Sequence, residues 1–259
     1  MKYQVYAIEY ATRQARSSEN FFGHSDPHED YPMPLSYYIW VAVSGSTTVV
    51  IDVGFTREVA VKRHRDYLRC PVETLHQLDI DPSTVPYVVI SHMHYDHVGN
   101  AHKFPSAEFF VQESEMTFWT GKYASKPHFR SLVEVEDVVH LVRENFRGRV
   151  HFVNGVEEIL PGITVYKSGG HSAGLQVVKV NTENGNVILA SDATHFYKNL
   201  EENRPFSVVH NLADMYAAFD LIRSLANESS IIVPGHDPLV MERFPAAKKG
   251  LEGVAVRID

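Results

Sequence analysis

The chain has 259 residues, of which 24 are Lys or Arg and 32 are Asp or Glu, so its formal net charge is −8. This negative balance argues against a nucleic-acid partner, which needs a basic face, and against binding to an anionic membrane surface. With 44% hydrophobic and 22% charged residues, the composition is that of a globular protein and excludes disorder over most of the chain.

Stretches rich in β-branched and aromatic residues predict strands along the whole chain. One of them, 87–91, is almost entirely apolar, which is typical of a strand buried on both faces. The dipeptide Asn184-Gly185 predicts a hairpin turn. The predicted strands are 2–9, 36–43, 46–53, 87–91, 108–112, 150–153, 157–160, 163–167, 175–182, 186–190 and 231–233.

Helices are predicted from apolar spacing and from capping residues. Thr56 and Asn211 are the expected N-caps of two helices. Ser131 and Glu134 form the pattern of a capping box for a helix over 131–146, which would cover the sheet or line a homodimer interface. The predicted helices are 57–68, a short one after Pro71, 113–119, 131–146 and 212–226.

Two stretches are predicted to be insertions near a functional site. Residues 11–34 contain three prolines and predict a long irregular loop, either a lid or a mobile arm. Residues 119–148 predict a loop followed by a helix. Because no linker rich in Pro, Gly or Ser divides the chain, we predict one α/β domain over residues 1–259, with sheet inside and helices outside.

No targeting or membrane segment is recognisable in the sequence. The first ten residues, MKYQVYAIEY, lack the basic and long apolar stretches of a signal peptide. The longest apolar runs, such as residues 37–43, fall far short of the roughly 20 residues that span a bilayer. We therefore expect a cytoplasmic protein that does not bind membranes.

Histidine is unusually clustered. The chain has 15 histidines and one cysteine, Cys70, so an intramolecular disulfide and a cysteine-built metal site are both excluded. Four potential ligands, His92, His94, Asp96 and His97, lie within six residues. In an extended segment the first two side chains point the same way and can bind one ion, and the last two can face a second ion where the chain turns. Isolated histidines are expected to be surface or hydrogen-bonded residues, namely His64, His76, His102, His140 and His151.

Three further candidate ligands follow apolar stretches or glycine and therefore lie at a sheet edge: His171, Asp192 and His236. Five His and two Asp are too many for one tetrahedral ion, and they suit two ions that share a bridging carboxylate. A ligand set of nitrogen and oxygen favours zinc, and manganese, iron and cobalt also fit. Asp52, before Gly54, either orients a ligand histidine from behind or simply forms a turn.

The segment HMHYDH resembles the H-x-H-x-D-H signature of the metallo-β-lactamase superfamily, and the three distal residues fit its remaining ligand positions. The resemblance extends from about Tyr3 to His236. It implies an αββα sandwich with a dinuclear site at one edge. It assigns one ion to His92, His94 and His171, the other to Asp96, His97 and His236, and the bridging position to Asp192.

Within the superfamily, the chain most resembles the N-acyl-homoserine lactonase group, which Phe104-Pro105-Ser106-Ala107 after the motif also favours. The commonest zinc β-lactamases use a cysteine ligand, and Cys70 is far from the ligand positions. Only residues 237–259 follow His236, whereas glyoxalase II enzymes add a helical region there. One position departs from the lactonases. Their tyrosine three residues after the bridging aspartate is His195 here, and Tyr197 is the nearest tyrosine.

The resemblance implies that a metal-bound hydroxide attacks the ester carbonyl of a lactone. Asp96 would pass a proton to the leaving alkoxide, and His195 would donate a hydrogen bond to the oxyanion. Aromatic residues of the two insertions either contact the substrate or fill the core, and they are Phe21, Phe22, Trp119, Tyr123 and Phe129.

Three alternatives stay open at this stage. One is a thioester hydrolase of the glyoxalase II kind, and another is a lactonase that opens an aromatic or other catabolic lactone. The third is a non-catalytic metal-binding module, which the presence of all seven ligands disfavours. The expected partners are a small lactone or ester and a second copy of the chain, with no nucleic acid.

Overall fold

The computed structural model describes residues 1–23, 28 and 30–259. Strands in this part of the chain are numbered in sequence order. They are β1 (Gln4–Arg13), β2 (Leu35–Ser44), β3 (Thr47–Ile51), β4 (Asp66–Tyr67), β5 (Tyr87–Val89), β6 (Glu108–Gln112), β7 (Val150–Val153), β8 (Val156–Leu160), β9 (Ile163–Lys167), β10 (Gln176–Thr182), β11 (Gly185–Ser191), β12 (Ser230–Pro234) and β13 (Ala255–Arg257).

The α-helices are mostly short. They are α1 (Ser17–Asn20), α2 (Arg57–Arg63), α3 (Pro71–Thr74), α4 (Tyr95–Val98), α5 (Glu113–Trp119), α6 (Pro127–Arg130), α7 (Val135–Phe146), α8 (Tyr197–Glu201), α9 (Leu212–Leu225) and α10 (Leu239–Arg243). Turns of 3₁₀-helix lie at Leu75–Leu78, Pro82–Thr84 and Ala101–Lys103. Within the described residues, no helix has the length and apolar character needed to cross a bilayer.

Two sheets form the centre of the fold. In the first, the strand order is β13-β1-β2-β3-β5-β6-β7, and β4 pairs with β1. Its strands β3, β5, β6 and β7 run parallel. In the second sheet the order is β12-β11-β10-β9-β8, and only β11 and β12 run parallel among its pairs in the described residues. Parallel strands bring their carboxyl ends to one edge, where loops can supply a site.

The sheets face each other across a continuous apolar core. Tyr38 and Trp40 of β2 point into this core, where they meet residues of the second sheet such as Val178. The alternate residues of β2, including Ile39, point to the opposite face, where helices α2, α3, α5 and α7 cover the sheet. Helix α9 covers the outer face of the second sheet through Ile222 and its neighbours. The layers are helix, sheet, sheet and helix, so the predicted αββα sandwich is confirmed.

Several predicted boundaries are wrong, for local reasons. Strand β1 extends to Arg13, and the stretch 11–34 also contains α1, so it is less irregular than predicted. Residues 24–27 and 29 of that stretch lie outside the described residues. The helix capped by Thr56 ends at Arg63 and not near residue 68, because His64 adopts a left-handed conformation with φ of 55°.

The capping box predicted at Ser131 does not form. The Ser131 hydroxyl donates to the carbonyl of His128 (2.7 Å), and α7 begins only at Val135. The carboxylate of Glu134 instead accepts hydrogen bonds from Lys62 (2.7 Å) and Arg63 (2.9 Å). Lys62 and Arg63 of α2 therefore bind the Glu134 carboxylate, which in a capping box would accept a hydrogen bond from the backbone at the start of its own helix. The caps predicted at Thr56 and Asn211 are confirmed.

A buried carboxyl on α7 makes the stability of the fold depend on pH. Burial, and then the neighbouring Glu134, raise the pKa of Asp137 from 3.8 to about 7. Its Oδ2 is buried and has no hydrogen-bond partner among the described residues. The folded state therefore binds the proton of the Asp137 carboxyl more tightly than the unfolded state does. The stability that this protonation contributes is complete below pH 3.8 and is lost as the pH rises through about 7.

We therefore expect Asp137→Asn to melt at a higher temperature than the parent protein at pH 8, with a gap that narrows as the pH falls toward 5. Thermal unfolding of both proteins across this range measures the gap. The exposed Glu183, in the turn between β10 and β11, supplies the control, Glu183→Gln, for which we expect no such pH-dependent gap. A gap for Asp137→Asn that is the same at every pH would contradict this account.

Candidate metal centre

The seven predicted ligands meet at one edge of the sandwich. His92 and His94 follow β5, and Asp96 and His97 lie on the single turn of α4. His171 lies between β9 and β10, Asp192 directly follows β11, and His236 follows β12. All seven side chains are buried, with Asp96 the most exposed of them at 8%. Candidate ligands that are far apart in the sequence therefore lie together at one sheet edge, as expected from the sequence.

The candidate ligand atoms form three groups in the described residues, in each of which all atoms lie within 4.8 Å of one another. The first is His92, His94, His171 and Asp192, and the second is Asp96, His97 and His236. The third, Asp192, His195 and His236, overlaps both. In the first group, Nε2 of His171 lies 2.9 Å from Nδ1 of His94. In the second, Oδ2 of Asp96 lies 3.7 Å from Nε2 of both histidines. Apart from Asp192, which the resemblance placed between the ions, the first two groups contain the residues that the resemblance assigned to each ion.

Asp192 connects the two groups through its two oxygens. Oδ2 faces the first group, at 3.1 Å from Nε2 of His171 and 3.8 Å from Nε2 of His92. Oδ1 faces the second group, at 3.1 Å from Nε2 of His236 and 3.4 Å from Nε2 of His97. A carboxylate with one oxygen toward each set of ligands is arranged as a bridging ligand is.

Orphaned polar atoms test whether these residues fit metal ions. Nε2 of His92, Nε2 of His97 and Oδ1 of Asp192 are buried without a hydrogen-bond partner among the described residues. A buried polar atom without a partner costs free energy, so native proteins nearly always pair such atoms. Burial also lowers the pKa of His92 and of His94, and the neutral imidazole is the form that binds metal. The donor set therefore fits divalent metal ions.

Close backbone packing holds two of the ligands. Gly170, which precedes His171, has φ of +87°, and a Cβ there would lie 2.7 Å from the backbone nitrogen of Met215. Gly235, which precedes His236, would place a Cβ 2.7 Å from Oδ1 of Asp192. A side chain at either position would displace a ligand, so these glycines are part of how the site is built.

Hydrogen bonds to the second ring nitrogen orient the histidines. Nδ1 of His171 donates to the carbonyl of Val208 (2.9 Å), and Nδ1 of His236 donates to the carbonyl of Ser36 (2.9 Å). Each bond fixes the tautomer and leaves Nε2 free to bind an ion. Neither carbonyl carries a sequence signal, because both partners come from distant segments.

Asp52 both forms a turn and contacts a candidate ligand histidine from behind, the two roles that the sequence left open. Its backbone adopts a left-handed conformation directly after β3, with φ of 59°. Its carboxylate accepts hydrogen bonds from Nδ1 of His97 (2.8 Å) and from both the backbone nitrogen and the hydroxyl of Ser91 (2.7 Å each). Asp52 therefore orients His97 and also fastens the segment that carries His92.

We expect Asp52→Asn to weaken metal binding by about 10- to 100-fold, since partners behind a ligand histidine contribute on that scale. Competition against a chromogenic chelator measures the affinity. The control is Asp81→Asn, which removes the same charge from an exposed turn. If both variants bind metal as tightly as the parent, Asp52 has no part in orienting His97.

Glu115 is a buried residue that sequence analysis missed. Its carboxylate accepts from the backbone nitrogen of Met93 (2.9 Å) and the indole nitrogen of Trp119 (2.7 Å), on the side of His94. It also accepts from Ser172 (3.0 Å) and the backbone nitrogen of Gly174 (2.6 Å), just after His171. Glu115 thus joins the two loops that carry the first ligand group. An isolated glutamate in a predicted helix gives no signal of this role.

His195 is also buried at the centre. Its ring stacks on Phe206 (centroids 3.5 Å apart), and its Nε2 lies 3.0 Å from Oδ2 of Asp192. Burial lowers the pKa of His195 to about 3, so the ring is neutral at physiological pH. Tyr197 is the other residue considered at the position of the lactonase tyrosine. The guanidinium of Arg243 stacks on its ring, 3.8 Å from the centroid, and Tyr197 does not line the cavity that opens onto the ligands. His195 is therefore the one of the two that contacts the ligands.

A cavity of about 240 Å³ opens onto the ligands. Its apolar lining includes Leu35, Leu132, Phe206 and Val208. Of the two stretches predicted as insertions, 11–34 contributes Arg13 to the lining, and 119–148 contributes Ser131 and Leu132. The five aromatic residues proposed as substrate contacts do not line this cavity. Trp119 and Phe129 border a small cleft beside His94, Phe21 is in a core cluster with Phe206, and Phe22 and Tyr123 are exposed. Their aromatic character could not distinguish these environments.

The fold and the ligand set together define a class of protein. The family model of the metallo-β-lactamase superfamily matches residues 32–236. The chain belongs to the metallo-β-lactamase superfamily.

Its relatives include lactonases. The N-acyl homoserine lactonase of Bacillus thuringiensis is 28% identical over 167 residues, which cover 64% of this chain and 61% of the relative. The present chain thus spans about 61% of that relative's length. N-acyl homoserine lactonase AttM of Rhizobium radiobacter is 26% identical over 242 residues, covering 84% of this chain and 87% of the relative.

The fold matches a solved structure over nearly its whole length. An N-acyl homoserine lactone hydrolase, with the product N-hexanoyl-L-homoserine bound at the catalytic metal centre, superposes with a TM-score of 0.78. The identity is 18%, and the match covers 95% of this chain and 98% of the other. The two proteins therefore share the fold.

Proposed function

We propose that this chain is a metal-dependent hydrolase that opens the ester ring of a small lactone. The observation that carries the proposal is the pair of ligand groups joined by the two oxygens of Asp192, at the base of an open cavity. The names of its relatives support a lactone as the substrate. A binding module without catalysis would not need seven buried ligands beside a substrate-sized cavity.

The first ligand group would hold one divalent ion and the second group another, with Asp192 between them. Nitrogen and oxygen donors suit zinc, and manganese, iron or cobalt would also fit. When bound, such ions lower the pKa of a coordinated water toward neutrality and polarise a carbonyl, so they supply a nucleophile and a Lewis acid.

Asp96 is the residue we assign to proton transfer. Its side chain lines the cavity and is one of the most exposed members of the ligand set. The ring opens when the ester oxygen leaves as an alkoxide, which needs a proton to become the product alcohol. A carboxyl group at this position would accept the proton of the attacking water and pass it to that oxygen.

The neutral ring of His195 has one N–H, which we place on Nε2, 3.0 Å from Oδ2 of Asp192, because Nδ1 is buried. This N–H would be shared between Asp192 and the oxygen that gains charge during attack. We expect His195→Phe to lower kcat by about 10²- to 10³-fold, as the loss of one oxyanion donor does elsewhere. Phenylalanine keeps the stacking on Phe206. Steady-state kinetics at saturating metal measure the effect, and Tyr197→Phe is the control, with an unchanged rate expected. An unchanged rate for His195→Phe would remove it from the mechanism.

A hydrolysis screen of the metal-loaded protein tests the proposed function. It includes N-acyl-homoserine lactones, simple γ- and δ-lactones, glutathione thioesters and a β-lactam. We expect ring opening of at least one lactone class, lost on chelation and restored on adding metal. Turnover of thioesters alone would replace the proposal with a glyoxalase II-like activity. No turnover of any substrate by protein with its metal bound would favour a binding module.

A further inference from the structure

The cavity above the ligands has a cationic wall, although the chain carries a net charge of −8. Three arginines line it: Arg13, Arg63 and Arg65. Arg13 forms an ion pair with Glu19. Arg63 forms one with Glu134 (2.8 Å). These two guanidinium groups are thus neutralised by the protein itself.

Arg65 differs from the other two. It is half-buried, and no carboxylate of the described residues lies within 4.0 Å of its guanidinium. Its Nε donates to the hydroxyl of Tyr95 (3.0 Å), and its Nη1 donates to the backbone carbonyl of Arg63 (2.6 Å). Its Nη2 has no hydrogen-bond partner in the described part of the chain. The Asp96 carboxylate attracts Arg65 at longer range, without a direct ion pair. A partly buried cation that has no direct ion pair is costly unless a ligand supplies the opposite charge.

A chain of side-chain contacts connects Arg65 to the candidate ligands. Tyr95, which it contacts, lies between His94 and Asp96 in the motif, and the Tyr95 hydroxyl is 3.3 Å from that of Tyr37. The Tyr37 ring in turn packs edge-on against His236 (centroids 5.1 Å apart). Arg65 therefore lies on the same wall as the second ligand group and faces the same small cavity.

We propose that Arg65 binds a carboxylate carried by the substrate, in addition to its ring ester. This rests on the proposed lactonase function and specifies its substrate class as a small lactone that bears a negative charge. A volume of about 240 Å³ holds such a molecule, whereas a long acyl chain would extend beyond it. One free guanidinium nitrogen suits a single carboxylate oxygen, while a phosphate group is usually bound by several donors.

Two matched lactones test the proposal, γ-butyrolactone-γ-carboxylate and its neutral carboxamide, with metal-loaded protein. We expect the parent to have at least a tenfold higher kcat/KM for the carboxylate. Arg65→Met should lose about 10- to 100-fold on the carboxylate, mainly through KM, and less than twofold on the carboxamide, as for a hydrogen bond to a charged group. Arg65→Lys should recover part of the preference, since it restores the charge.

The control is Arg69→Met, which removes the same charge from a half-buried arginine outside the cavity, and its kinetics should match the parent. Equal kcat/KM of the parent for both lactones would overturn the proposal, and so would an equal loss on both in Arg65→Met. In either case the lactonase function would stand, because the neutral lactone is still opened.

If the parent opens neither lactone, the same pair is titrated by calorimetry as ligands of the metal-loaded protein. Tighter binding of the carboxylate, lost in Arg65→Met, would support the charge-binding role although this lactonase activity had failed. Equal binding of the two would overturn it.

Discussion

Asp192→Asn is expected to lose one of the two metal ions and to lower kcat by roughly 10³-fold or more. Asp192 faces both of the first two ligand groups, with Oδ2 3.1 Å from Nε2 of His171 and Oδ1 3.1 Å from Nε2 of His236. An amide has one oxygen and carries no charge, so it cannot face both ions as the carboxylate does. Metal content per chain and steady-state kinetics measure the two effects separately.

Folding has to be checked in the same experiment, because Asp192 is buried. Circular dichroism and a thermal melt of the metal-free proteins separate loss of the ions from loss of the fold. Asp220→Asn is the matched control, since it removes the same charge from the exposed face of α9. Two bound ions in folded Asp192→Asn would contradict the bridging role.

Asp96→Asn is expected to lower kcat for ordinary lactones by about 10²- to 10⁴-fold, the range of general acid–base catalysis. Because Asp96 is also a candidate ligand, the measurement is made at saturating metal and with the metal content determined. A decisive comparison uses δ-valerolactone and dihydrocoumarin, whose leaving groups are an alkoxide and a phenolate. A phenolate is a far weaker base and leaves without a proton.

The loss should therefore be much smaller for dihydrocoumarin than for δ-valerolactone if Asp96 protonates the leaving oxygen. An equal loss on both substrates would assign Asp96 to metal binding alone. The comparison is internal to one variant, so differences in folding or in metal loading cancel.

The sequence allowed a ligand set to be proposed because much of its signal is local. His92 and His94 are two residues apart after a buried strand, and Asp96 and His97 follow on one helical turn, so each pair is fixed by backbone geometry alone. The distal candidates, His171, Asp192 and His236, were recognisable because each follows an apolar stretch or a glycine and fits one of the remaining ligand positions of the family. The layered fold followed from the same alternation of apolar strands and helices, together with the resemblance to the family.

What the sequence could not predict depends on contacts between distant segments. Arg65 has no pattern that distinguishes it from its neighbours, and its lack of an acidic partner is visible only in three dimensions. The start of α7 was mispredicted because Glu134 pairs with Lys62 and Arg63, which lie some 70 positions away. The sequence left open whether five aromatic residues contact the substrate or fill the core, because aromatic side chains occur in cores and clefts alike; in the structure none of them lines the cavity at the ligands.

The central claim is that the seven buried side chains hold two divalent ions. The most direct measurement is the metal content per chain, by elemental analysis, after the chelated protein is reloaded with excess zinc and then freed of unbound metal. The account predicts two ions per chain in the parent, and fewer in Asp192→Asn. A folded parent protein that retains no stoichiometric metal, or only one ion at saturation, would contradict it.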